Sequence, residues 1–139
     1  MLGNFTFHNP TKLYFGENSL ENLGKELGKY GEKVMLVYGG GSIRKNGIYD
    51  AVLAELRKAG KQTVELSGVM PNPTIEKVME GVALARKEAV DLILAVGGGS
   101  VCDYCKAVAG SAYCEHDPWE YYFNNFGEMT CRWIPVGCV

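Results

Sequence analysis

Two stretches of the chain are apolar almost without interruption: Lys33-Val34-Met35-Leu36-Val37-Tyr38 and Asp91-Leu92-Ile93-Leu94-Ala95-Val96. A strand that shows no alternation has to be buried on both faces, as in a parallel sheet covered by helices. Residues 61–66, with Thr63-Val64 among them, predict a third and more polar parallel strand. Between the strands the apolar positions change to helical spacing. Ile48, Val52, Leu53 and Leu56 mark the inner face of a helix over residues 42–57, with Gly60 at its end. Ile75, Val78, Met79, Val82 and Ala83 recur at i, i+3, i+4, i+7 and i+8 behind a Thr74 cap, and predict a second helix. Residues 101–112 predict another. The alternation of strand and helix predicts an α/β fold, a doubly wound, Rossmann-like parallel sheet with helices on both faces.

The flanks read differently. Phe5-Thr6-Phe7 and Lys12-Leu13-Tyr14-Phe15 lie on either side of Asn9-Pro10, which predicts an N-terminal β-hairpin. Asn18-Ser19 then offers caps for a short helix with Leu20, Leu23 and Leu27 on one side. Pro71-Asn72-Pro73-Thr74 is a rigid turn, because each proline fixes its own φ and restricts its predecessor. The aromatic run from Asp117 to Phe123 is assigned no structure. Arg132 to Val139 opens a further strand, and the sequence stops there without turn or cap. Buried backbone needs partners, so residues 1–139 are expected to form an incomplete domain of a longer polypeptide.

Composition narrows the function classes. Fourteen Lys and Arg against 16 Asp and Glu give a net charge of −2, without the basic excess of a nucleic-acid binder. No apolar run approaches the ~20 residues of a membrane span. The start, Met1-Leu2-Gly3-Asn4-Phe5, lacks a secretory signal, so a cytoplasmic protein is expected. The five cysteines (Cys102, Cys105, Cys114, Cys131, Cys138) are odd in number and crowd into the last third of the chain. Cys102-x-x-Cys105 invites a zinc or redox reading. His8 and His116 are the only histidines, and i, i+3 spacing on a helix makes the two thiols neighbours by geometry alone, so reduced thiols are expected.

Glycine stands out, with 18 residues. Gly39-Gly40-Gly41-Ser42 and Gly97-Gly98-Gly99-Ser100 each join an apolar strand to a helix. Ligands of open α/β sheets bind at the carboxyl ends of the strands, where these loops must lie. A helix N-terminus adds unpaired N–H groups and the positive end of its dipole, which suits a phosphate. Ser42 and Ser100 are candidates to cap the helices or to donate a hydroxyl. Neither loop fits G-x-G-x-x-G, and no G-K-[ST] follows, so the common dinucleotide and P-loop fingerprints both fail. Asp103 and Lys106 lie three apart on the helix after the second loop. They are either an exposed ion pair or the rim of a ligand site.

The string Gly97-Gly98-Gly99-Ser100-Val101-Cys102-Asp103-Tyr104-Cys105-Lys106 resembles the G-G-G-S-x-x-D-x-x-K signature of the iron-containing (group III) alcohol dehydrogenases. Tyr38 to Gly47 resembles the first coenzyme loop of the family's NADP-dependent butanol dehydrogenase branch. Pro71-Asn72-Pro73-Thr74, and Phe5 to Lys12 with Phe15-Gly16, are similar to its proline turn and N-terminal hairpin. The resemblance runs the length of the chain. It implies the coenzyme-binding domain of a two-domain enzyme that interconverts alcohols and aldehydes with NADP(H), or with NAD. On the same footing, Gly97, Gly98, Gly99 and Ser100 cradle the pyrophosphate, Asp103 and Lys106 lie toward the nicotinamide and ribose, and Asn72 contacts the adenosine end. Gly39 replaces an aspartate of NAD-preferring relatives. It leaves Gly40, Gly41 and Ser42 to receive a 2′-phosphate, with Arg44 and Lys45 as countercharges or as plain helix surface.

The family's divalent metal, iron or zinc, is held by an aspartate and three histidines from a later, all-helical domain that this sequence lacks. No catalytic or metal-binding residue is therefore assigned to residues 1–139, and no turnover is expected of them alone. For the intact protein the resemblance implies a homodimer acting on a small alcohol or aldehyde. The alternatives are a stand-alone nucleotide-binding module and a relative of glycerol dehydrogenase or dehydroquinate synthase.

Overall fold

The computed structural model describes residues 3–124, 126 and 130–139, so the Met1-Leu2 start read above for a signal lies outside them. Its strands are β1 (Lys33–Tyr38), β2 (Gln62–Leu66), β3 (Leu92–Val96) and β4 (Val136–Cys138). They form one sheet in the order β2-β1-β3-β4, parallel at every pairing. A 3₁₀ turn (Ser19–Asn22) leads into α1 (Leu23–Leu27), and α2 (Ser42–Lys45) and α3 (Ile48–Lys58) follow β1. The helix α4 (Ile75–Glu88) follows β2, and α5 (Gly99–Ser111) follows β3.

The absence of alternation in β1 and β3 has the expected cause. Met35, Val37, Ile93 and Ala95 pack with Val78, Val82, Ala85, Tyr104 and Val108 of α4 and α5. The residues between them, Val34, Leu36, Tyr38, Leu92, Leu94 and Val96, pack with Leu27, Val52 and Leu56 of α1 and α3. Every β1 and β3 side chain except Lys33 therefore enters one of two cores, and the α/β fold read from the sequence is the fold observed. Thr74 caps α4 as expected, its Oγ1 accepting the Lys77 N–H at 3.4 Å.

Four expectations are corrected. No strand precedes β1 among the described residues, so the N-terminal hairpin does not form. An isolated two-stranded hairpin is barely stable in water, and here Phe5, Phe7, Leu13 and Phe15 stay exposed. The helix expected over residues 42–57 is split, because Gly47 adopts φ +80° and Asn46 Oδ1 accepts the Ile48 N–H at 3.1 Å, restarting the helix as α3. Ile48 itself is exposed. On α4, Met79 and Ala83 face solvent while Val78, Gly81, Val82 and Ala85 are buried. A Cβ on Gly81 would collide with the Tyr104 hydroxyl and Val108, so the closest approach of α4 to α5 runs over a glycine that a hydrophobicity pattern ignores. The aromatic run contains a π-helical turn, Trp119–Asn124.

Candidate functional site

Although β1 and β3 are neighbours, they are not consecutive. The chain leaves β1 toward β2 on one side, then returns to the other side for β3. Such a reversal opens a crevice at the carboxyl ends of the two strands. Tyr38 and Val96 are register partners, so Gly39 and Gly97 leave the sheet side by side. Sequence reasoning placed Gly39, Gly40, Gly41, Ser42, Gly97, Gly98, Gly99 and Ser100 at this level, and the structure brings the two loops together there.

The loops are held from below. Gly97 has φ +152°, and a Cβ on it would stand 3.0 Å from Val101 Cγ2. The same methyl lies 3.8 Å from a Cβ built on Gly39, so Val101 packs under both loops. The Gly97 N–H donates to the Val139 carbonyl at 3.0 Å. The Gly39 and Tyr38 carbonyls accept from the N–H groups of Gly68 and Val69, at 3.0 and 3.3 Å, which ties the first loop to the segment after β2.

Gly40, Gly41, Gly98 and Gly99 differ from these. Nothing lies within 4 Å of a Cβ built on any of them, and none has a positive φ. Neither backbone strain nor packing within the chain calls for glycine there, and all four are exposed. What they present is bare backbone at the mouth of the crevice, where a ligand reaches the amides without meeting a side chain. The α5 dipole points its positive end at the same place, across a helix of 13 residues. The four-residue α2 adds little of its own. Gly41 and Gly98 occupy the N-cap positions, so Ser42 and Ser100 lie inside their helices rather than capping them.

The other candidates are placed as follows. Asp103 and Lys106 form an ion pair at 3.3 Å on the first turns of α5, with side chains 74% and 60% exposed. Asn72 is exposed, with φ +50°, in the turn leading to α4. Cys102, Cys105, Cys114, Cys131 and Cys138 are all free thiols. Burial pushes the Cys105 thiol far up, and Cys138, through burial and then its hydrogen bond with Cys102, rises to about 11. Neither is poised as a thiolate at neutral pH. Among the described residues no three His, Cys, Asp or Glu side chains converge as metal ligands, so this donor set does not fit a divalent metal.

One cluster escaped the sequence reading. At the flank of the first loop, Arg44 Nη2 donates to the Tyr38 hydroxyl at 2.8 Å, and that hydroxyl donates to Glu65 Oε2 at 2.7 Å. The Tyr49 hydroxyl donates to Glu65 Oε1 at 2.8 Å, and the Arg44 guanidinium lies 4.3 Å from the centre of the Tyr49 ring. The bond to Glu65 pushes the Tyr49 phenol up, and the bond to Tyr38 pushes the Arg44 guanidinium up. The available signal was a carboxylate near the end of the second strand of a βαβ unit, where dinucleotide folds read the ribose.

In open α/β sheets a switch point of this kind, rimmed by glycine loops, is where ligands bind. The chain belongs to the iron-containing alcohol dehydrogenase family, whose profile matches residues 10–139. It is 51% identical over 117 residues to a probable NADH-dependent butanol dehydrogenase of Bacillus subtilis, covering 84% of this chain and 30% of that protein. It is 39% identical over 140 residues to the NADPH-dependent aldehyde reductase YqhD of Escherichia coli, covering 99% of this chain and 35% of the reductase. The crystal structure of NADH-dependent butanol dehydrogenase A from Thermotoga maritima superposes with a TM-score of 0.89 at 45% identity, over 97% of this chain and 34% of that one. The chain thus spans about a third of the length of these relatives. They do not favour a stand-alone module or a glycerol dehydrogenase-like enzyme. No helix among the described residues is long and apolar enough to cross a membrane.

Proposed function

We propose that residues 1–139 are the coenzyme-binding domain of a metal-dependent alcohol dehydrogenase that interconverts small alcohols and aldehydes with NADP(H). The observation that carries this reading is the bare backbone of Gly40, Gly41, Gly98 and Gly99 at the switch point, left open by the chain's own packing. Gly97, Gly98, Gly99 and Ser100 take the pyrophosphate on the amides that open α5. Gly39, Gly40, Gly41 and Ser42 take the adenosine-side phosphate, Asn72 the adenosine end, and Asp103 and Lys106 the nicotinamide ribose. The bound nicotinamide supplies the hydride chemistry, and these residues supply binding and orientation. The divalent metal is held by residues of the intact protein outside this chain.

Gly39 itself brings no carboxylate against a 2′-phosphate, which supports NADP. NAD is the second reading, because the 51%-identical relative is named as NADH-dependent and Arg44 is already engaged by Tyr38. Fluorescence titration of the chain with NADPH and NADH tests the proposal, alongside Gly98→Val. Gly98 has φ −80° and ψ −172°, which valine adopts freely, so the substitution fills the open space without straining the backbone. Affinity is expected to fall at least ~10-fold, about 1.4 kcal/mol or more, while folding stability loses no more than the ~1 kcal/mol that valine costs at an N-cap. Failure of the unaltered chain to bind either nucleotide, or full binding by the variant, removes the proposal.

A further inference from the structure

We propose that Glu65 sets the choice between NADP and NAD by holding Arg44 away from the coenzyme's 2′-phosphate. This rests on the coenzyme-binding reading above and goes beyond it to a residue outside both glycine loops. Glu65 lies on β2 opposite Leu36 in the register, so its side chain shares a face of the sheet with Leu36 and, one pleat further on, Tyr38. Tyr38 is the last residue before the first loop, and Arg44 lies on the helix that the loop opens. Both carboxylate oxygens of Glu65 are anchored, one by the Tyr38 hydroxyl and one by that of Tyr49. The carboxylate is therefore a fixed negative charge, with Arg44 Nη2 at 3.8 Å.

Arg44 is held by three contacts: the hydrogen bond to Tyr38, the charge of Glu65 and the face of the Tyr49 ring. Its side chain is still 55% exposed, so it can be reached from solvent. A 2′-phosphate arriving at Gly39–Ser42 competes with Glu65 for this guanidinium and is repelled by the carboxylate at the same time. A ribose hydroxyl in that position meets neither penalty. Glu65 acts here through Arg44, as a positioning residue. Lys45 carries the next charge on α2 and is exposed.

The test compares Kd values for NADP and NAD in the unaltered chain, Glu65→Gln, Arg44→Gln and the double variant. The glutamine amide still accepts one tyrosine hydroxyl, so folding is preserved, and circular dichroism checks this. Glu65→Gln is expected to tighten NADP roughly 3- to 10-fold, less at high salt, and to move NAD less than about 2-fold. The gain should vanish on the Arg44→Gln background, which is the coupling a double-mutant cycle reads. An unchanged NADP-to-NAD ratio overturns the inference, and so does a gain that survives without Arg44. Weaker NAD binding with NADP unmoved overturns it as well, since Glu65 would then touch the ribose itself. If the unaltered chain binds neither nucleotide, the coenzyme-binding reading has failed and takes this inference with it, an outcome distinct from the others.

Discussion

Val101 lies directly under Gly97, with its Cγ2 3.0 Å from where a Cβ on that glycine would stand. The contact makes Gly97 structural in a way that Gly99, two residues on, is not. Gly97→Ala combines a φ of +152° with a crowded methyl, and is expected to destabilise the chain by about 1–3 kcal/mol in urea unfolding. Gly99 begins α5 with open space at its Cβ, so Gly99→Ala should leave stability unchanged or raise it by up to ~1 kcal/mol. Equal stability losses in the two variants would contradict this division of roles.

Arg86 of α4 closes the far end of α5. Its Nε donates to the Ala112 carbonyl at 2.5 Å, and its Nη2 donates to the carbonyls of Cys114 at 2.9 Å and Ser111 at 3.4 Å. These are carbonyls at and just past the end of a helix, where a positive charge also meets the negative end of the dipole. Arg86→Ala is expected to cost about 1–3 kcal/mol. Arg86→Lys should recover only part of that, because an ammonium cannot span the carbonyls as a planar fork does. Thermal unfolding of both variants reads the difference, and full recovery by lysine would show that charge alone is sufficient.

Burial raises both the Tyr104 phenol and the Cys105 thiol well above their ordinary values of 10.0 and 9.0. The folded chain therefore keeps these protons at a pH where the unfolded chain has lost them. Their contribution to stability is complete below pH 9.0 and is lost as the pH climbs past 9.0 and 10.0 toward the folded values. Urea midpoints should be level from neutrality to that point and then fall. Cys105→Ala should flatten the earlier part of the fall, at the cost of a small cavity. A midpoint that rises with pH in this range would contradict the sign of the effect.

Purified residues 1–139 should show no alcohol oxidation or aldehyde reduction above the blank, with NADP or NAD and with added ferrous iron or zinc. Among the described residues no three ligand-type side chains converge to hold a Lewis acid. Coenzyme absorbance at saturating butanol or butanal checks this. Measurable turnover would place metal or catalytic groups in this chain.

The layers were legible in the spacing of apolar residues alone. Two stretches without alternation had to become central parallel strands, because only helices on both faces can cover side chains that point both ways. The glycine loops then had to follow those strands, and their shared signature pointed to the family. Pattern could not supply what depends on contacts between distant residues. Whether the aromatic N-terminal segment pairs as a hairpin rests on having a surface to lie against, and Phe5 and Phe15 stay exposed. That α4 turns Gly81 rather than Met79 toward α5 follows from the bulk of Tyr104, which lies on another helix. Glu65 read as one polar position in a half-polar strand. Only the parallel register of β1 and β2 brings it to Tyr38, and only the break at Gly47 gives Tyr49 and Arg44 the separate helices from which they converge on the same carboxylate.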